Sequence, residues 1–145
     1  MTVRSYTLAL ALLIGAGAVW AEAATQVDVF KSPYCGCCEQ WIEHLRSNGF
    51  QVQTHKATDL PANIKKLPIS ENLESCHTAK IGGYVVIGHV PVEDIRRLLE
   101  ERPKAIGLSV PGMPAGSPGM EQGKSVPYET LLVQQDGTTR VYARH

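Results

Sequence analysis

An α/β fold is expected for this chain of 145 residues, and three stretches point to it. Residues 26–30 form a strand-like run that leads through a cysteine-rich turn into helical spacing, and residues 50–54 then alternate apolar and polar. Two short apolar runs flank Gly82-Gly83, as in a tight hairpin. Residues 91–100 are amphipathic at helical period, with proline at the start.

The elements follow in order. After the turn Tyr34-Cys35-Gly36-Cys37-Cys38, Trp41, Ile42 and Leu45 recur at helical spacing, and Gly49 stands where a helix C-terminus favours glycine. This strand–helix–strand unit should be parallel with a right-handed crossover. Residues 59–67 fit a short helix, with Pro61 early and Pro68 at its end, and residues 70–75 fit a polar loop. Residues 78–81 and 84–87 pair around Gly82-Gly83, which supply the positive φ of such a turn. The helix over 91–100 is stopped by Pro103. Residues 107–123 carry Gly, Pro, Ser and two methionines without periodicity, the composition of a long functional or disordered loop. Residues 128–133 and 138–142 then flank Asp136-Gly137 as a second hairpin. There is no internal repeat.

The order β-α-β, a spacer helix, then β-β-α is that of the thioredoxin fold, in which redox cysteines lie between the first strand and the first helix. The expected architecture is therefore a thioredoxin-like domain over residues 24–106, with residues 107–145 as a C-terminal loop and β-hairpin extension packed on the same domain. Residues 1–23 read as a cleaved signal peptide: one early arginine, a short apolar core and an A-x-A site. The apolar run is about 15 residues, short of the ~20 that span a bilayer. The remaining chain, roughly 120 residues, is the size of one domain with one core. Fourteen basic residues balance fourteen acidic ones, and without a basic stripe nucleic acid is not expected as a partner. A periplasmic monomer with no membrane span after signal removal is expected.

Three of the four cysteines crowd into Cys35, Cys37 and Cys38, and the fourth is Cys76. A structural disulfide framework spreads its cysteines to close loops. Bridging any two of the clustered three closes almost nothing, so redox or metal chemistry is favoured. Cys35 and Cys38 alone make a C-x-x-C motif at a helix N-terminus, where unpaired N–H groups and the helix dipole stabilise a thiolate. Cys37, between them, turns the turn into a dense soft-donor site suited to Cu(I), Zn²⁺ or an iron–sulfur cluster. Cys76-His77 occupy the place just before the third strand that a cis-proline takes in thioredoxins, and His89 should return to the same edge. Met113 and Met120 are the mature chain's only methionines, and thioether sulfur binds Cu(I) far better than Zn²⁺. His44 is expected on the exposed face of the first helix, and His55 away from the cysteines. His145 carries no signal.

On these residues the chain resembles the CopG family of periplasmic copper-resistance proteins. The resemblance rests on Tyr34-Cys35-Gly36-Cys37-Cys38, Ser75-Cys76-His77-Thr78, Gly83-Tyr84, Gly88-His89-Val90-Pro91 and residues 107–121, and it covers essentially the whole mature chain. It implies a thioredoxin-like domain whose extension contributes to a thiolate-bridged, multinuclear copper cluster held by Cys35, Cys37, Cys38 and Cys76. It also implies Cu(I)/Cu(II) interconversion in copper resistance. His77, His89, Met113 and Met120 are the further ligand candidates, and the partners expected are copper ions and other periplasmic copper-handling or efflux proteins.

Three functions therefore stand side by side. One is a copper protein, either sequestering the metal or acting on it as a copper oxidoreductase. Another is a thiol–disulfide oxidoreductase using Cys35 and Cys38. The third is a non-catalytic module whose loops are held by Zn²⁺ or an iron–sulfur cluster, the latter disfavoured by export.

Overall fold

The computed structural model describes residues 24–145; the signal peptide expected over 1–23 lies outside the described residues. The architecture is mixed α/β. Seven strands form one sheet in the order β2-β1-β3-β4-β5-β6-β7. They are β1 Gln26–Lys31, β2 Gln51–Lys56, β3 His77–Ile81, β4 Tyr84–Ile87, β5 Ala105–Ser109, β6 Glu129–Gln134 and β7 Thr139–Arg144. Among the described residues three helices accompany them: α1 Gly36–Ser47, α2 Ala62–Lys65 and α3 Val92–Glu101. Among the described residues no helix is long and apolar enough to cross a membrane.

The first unit follows the sequence closely. α1 turns Cys38, Trp41, Ile42 and Leu45 inward. It ends in a Schellman arrangement: Gly49 N donates to Arg46 O at 3.0 Å and Phe50 N to Leu45 O at 3.2 Å, while Leu45 and Phe50 join the same core. β2 then runs parallel to β1 as an edge strand. β3 and β4 pair antiparallel with Ile81 opposite Tyr84, so Gly82 (φ 56°) and Gly83 (φ 93°) make the two-residue turn.

β4 is buried along its whole length because both sheet faces are covered. Tyr84 and Val86 join α1 and α3 in the larger cluster, with Val27, Val29, Ile81, Leu108 and Leu132. Val85 and Ile87 point the other way, onto Ile64 and Leu73. Alternation along a strand gives each face its own residues.

Three expectations need correction. The helix expected over 59–67 shrinks to Ala62–Lys65, preceded by a 3-10 turn at Ala57–Asp59. Pro61 is its N-cap and its carbonyl accepts from Ile64 N and Lys65 N. The loop expected over 70–75 contains a 3-10 turn, Glu71–Leu73, that buries Leu73. The irregular segment expected from residue 107 begins too early, because Ala105–Ser109 is a strand, parallel to β4 and antiparallel to β6. Through β5 the C-terminal hairpin is continuous with the central sheet. Gly107 permits this: a Cβ there would fall 1.7 Å from Val85 O.

Candidate metal centre

The carboxyl end of β1 and the N-terminus of α1 bring the cysteine turn to one edge of the sheet. Cys35 is the N-cap of α1, and Tyr34 before it is 94% exposed. Cys38 lies on the inward face of the helix, fully buried, and forms a disulfide with Cys35. Cys37 projects from the same turn as a free, half-buried thiol, its Sγ 3.5 Å from that of Cys35.

Cys76, the other free thiol, arrives just ahead of β3. Its Sγ is 3.8 Å from Cys37 Sγ, and its carbonyl oxygen is 3.7 Å from Cys38 Sγ. The latter is a contact without a proton, since Cys38 is oxidised. All four cysteine sulfurs lie within 4.8 Å of one another.

Two histidines flank Cys76. His77 opens β3; its Nδ1 is 3.6 Å from Cys76 Sγ, and its ring packs on Trp41 with centroids 4.3 Å apart. Trp41 is itself pinned by donating from Nε1 to Val90 O at 2.9 Å. The antiparallel return of β4 brings back His89, whose Nε2 is 3.2 Å from Cys76 Sγ. His89 Nδ1 is 2.7 Å from Pro118 O. A carbonyl can only accept, so Nδ1 carries the hydrogen and Nε2 turns a lone pair toward Cys76. Cys76, His77 and His89 thus form a second group of donor atoms within 4.8 Å.

The electrostatics follow from burial. Desolvation lowers the His77 pKa to about 3, with His89, when protonated, and the Lys31 ammonium opposing a further positive charge, and it lowers that of His89 as well. Both imidazoles are neutral at pH 7 and offer nitrogen lone pairs. Burial, and then the adjacent Cys37, push the Cys76 thiol up.

A strap after β5 closes the site from above. Ser75 Oγ donates to Gly112 O at 2.7 Å, and Met113 Sδ lies 3.8 Å from Cys37 Sγ while remaining half exposed. Farther on, Gly116 N donates to Met120 O and Met120 N to Ser117 O, a tight turn that aims the Pro118 carbonyl at His89.

The structure thus gathers Cys35, Cys37, Cys38, Cys76, His77, His89 and Met113. Met120 lies half-buried in the same strap. His44 departs from expectation: rather than facing solvent it is half-buried, with Nε2 enclosed and without a hydrogen-bond partner among the described residues. His55 stays clear of the cysteines, paired with Asp28 at 2.9 Å and stacked on Phe30. Lys31 went unnoticed in the sequence. It is 5% exposed, is paired in register with His77, and donates to Glu39 Oε1 at 2.7 Å and to Ser32 O at 3.0 Å. The available signal was a lysine ending an apolar strand beside the cysteines.

Comparison with known proteins completes the description of the centre. A family model described as a protein of unknown function, DUF411, matches residues 73–120, which hold Cys76, both flanking histidines and the strap methionines. No curated protein matches the sequence. Two solved structures, described as forms 1 and 2 of copper resistance protein copG, are each 41% identical to this chain with a TM-score of 0.76. In both, the similarity covers 84% of this chain and 98% of the other.

Proposed function

The chain belongs to the CopG family of copper resistance proteins, and from that membership we propose that it is an exported copper-binding protein that holds its cargo on cysteine thiolates. One observation carries this: four cysteine sulfurs within 4.8 Å of one another, with the Met113 thioether beside Cys37. Soft sulfur donors at this density suit Cu(I), and thiolates that bridge neighbouring ions let one site hold several. Reduction of Cys35–Cys38 makes all four thiols available, so the thiol state of the chain sets how much copper it holds. His77 and His89 offer the nitrogen donors that Cu(II) accepts, which favours a chain that interconverts Cu(I) and Cu(II) over one that only stores copper.

We read β1–α1–β2 followed by β3–β4–α3 as thioredoxin-like, residues 24–106 as that domain, and residues 107–145 as the extension supplying the strap. The protein acts in the periplasm as a monomer after removal of residues 1–23, and it exchanges copper with other copper-handling or efflux proteins there.

The test is copper content and absorption spectrum of natively exported protein, followed by Cu(I) titration of the reduced chain. More than one Cu(I) per chain is expected, with sulfur-to-copper charge transfer, and Cys37→Ser should cut the stoichiometry sharply. Unchanged copper binding in that variant would sink the cluster.

The Cys35–Cys38 disulfide favours a second function, thiol–disulfide exchange without metal. Insulin reduction by the metal-free, fully reduced protein decides it; no activity removes it. Strong thermal stabilisation by Zn²⁺ with none by Cu(I) would instead point to a zinc-held module.

A further inference from the structure

The four cysteines are not equivalent. Two are already joined, and the two that remain, Cys37 and Cys76, stand with sulfurs 3.8 Å apart. A disulfide needs ~2.05 Å between sulfurs, so the gap calls for side-chain rotation at two half-buried positions. They come from different elements, the first turn of α1 and the residue before β3. Their union would close a loop of the chain, unlike any bridge within the turn. Beside Cys76 stand two imidazoles, donors that suit Cu(II), whereas sulfur suits Cu(I). Donors for the oxidised metal therefore adjoin a pair of thiols that can supply electrons.

We propose that Cys37 and Cys76 are a second redox pair, which gives one electron to each of two Cu(II) ions and closes as a disulfide while two Cu(I) ions form. This rests on copper being the cargo, as proposed above. The balance is complete: two S–H bonds break, one S–S bond forms, two protons leave to solvent and two electrons reduce two cupric ions to cuprous. The cupric ion is itself the oxidant. Once both pairs are closed the site has no thiolate left, so the Cu(I) produced is surrendered to an acceptor. Reduction and release are then one event, and an external dithiol reopens the site for another round.

The double variant Cys35→Ser/Cys38→Ser isolates the second pair. Reduced, freed of reductant and mixed anaerobically with Cu(II) sulfate and a coloured Cu(I) chelator, it should yield two Cu(I) per chain. It should remain monomeric and carry a cross-link between the peptides holding Cys37 and Cys76. Less than half a Cu(I) per chain, or chains joined to one another by disulfides, overturns the proposal. If the double variant fails to fold, the wild-type chain with Cys35–Cys38 closed answers the same question. It should lose both free thiols to Cu(II) and gain the cross-link to Cys76, and persistence of that cross-link in Cys37→Ser overturns the pairing. Cu(I) competition on the fully reduced wild type separates the two levels. Cu(I) binding without Cu(II) reduction defeats this proposal and leaves the copper function standing, whereas no Cu(I) binding defeats both.

Discussion

Gly119 rests on the backbone of Cys37: a Cβ at Gly119 would stand 3.0 Å from the Cys37 carbonyl oxygen and 2.9 Å from Trp41 N. The strap is therefore seated on the first turn of α1. Its φ of +85° adds a second demand for glycine. Gly119→Ala should cost about 1–3 kcal/mol through backbone strain and lift Pro118 and Met113 from the site. Denaturant midpoints and Cu(I) competition measure the two effects, and no change in either would mean the strap is not held there.

The two methionines should behave differently. Met113 Sδ is 3.8 Å from Cys37 Sγ, whereas Met120 contributes its backbone to the strap's turn. Met113→Leu should weaken Cu(I) binding by roughly tenfold, the lower end of what groups supporting a metal site contribute. Met120→Leu should leave affinity within about twofold on the same scale. Equal losses from the two variants would place both sulfurs at the metal.

Acid should destabilise the metal-free chain through its buried imidazoles. The folded-state pKa of His77 is about 3 against 6.5 when free, lowered first by burial, and His89 moves in the same direction. Between those values the unfolded chain binds a proton that the folded chain refuses, so stability falls as pH drops below 6.5 and continues to fall toward 3. His77→Phe, which keeps an aromatic ring against Trp41, should flatten part of that slope. Urea midpoints from pH 7 to 4 test this, and parallel slopes for variant and parent would contradict it.

His145 should matter for stability despite lying at the chain's end. Its Nε2 is 2.9 Å from Asp94 Oδ2, its ring stacks on Tyr128, and Thr130 Oγ1 donates to the same carboxylate oxygen at 2.6 Å. Asp94 is 4% exposed at the start of α3. Removing one partner of a buried carboxylate costs about 1–3 kcal/mol, and His145→Ala should lower the denaturant midpoint accordingly. Copper affinity should stay unchanged, because this cluster holds the hairpin rather than the cysteines.

Legibility in the sequence tracked locality. The cysteine turn, the helix over Trp41, Ile42 and Leu45, and the Gly82-Gly83 hairpin are written in adjacent residues, and each appears in its expected place. Cys76 and His89 were placed by topology alone, since the pairing of β3 with β1 and β4 fixes where their ends meet. β5 was hidden because it is short, is interrupted by Gly107, and is buried on both faces, so it lacks the alternation that marks a half-exposed strand. Lys31 and Asp94 are buried polar residues, and their ion pairs with Glu39 and His145 form only once the fold is assembled.

The strap begins and ends on neighbouring strands, since Ser109 of β5 is paired with Leu131 of β6. Ladder hydrogen bonds close its neck, and residues 111–127 between them supply no strand to the sheet. Lengthening or shortening such a loop changes its closure entropy only slowly. Side-chain changes at exposed strap positions such as Met113 should thus alter the chemistry of the site more than the stability of the fold. A change at Met113 can therefore alter the surroundings of Cys37 from one peripheral segment, while the cysteine turn and the sheet beneath it keep their structure.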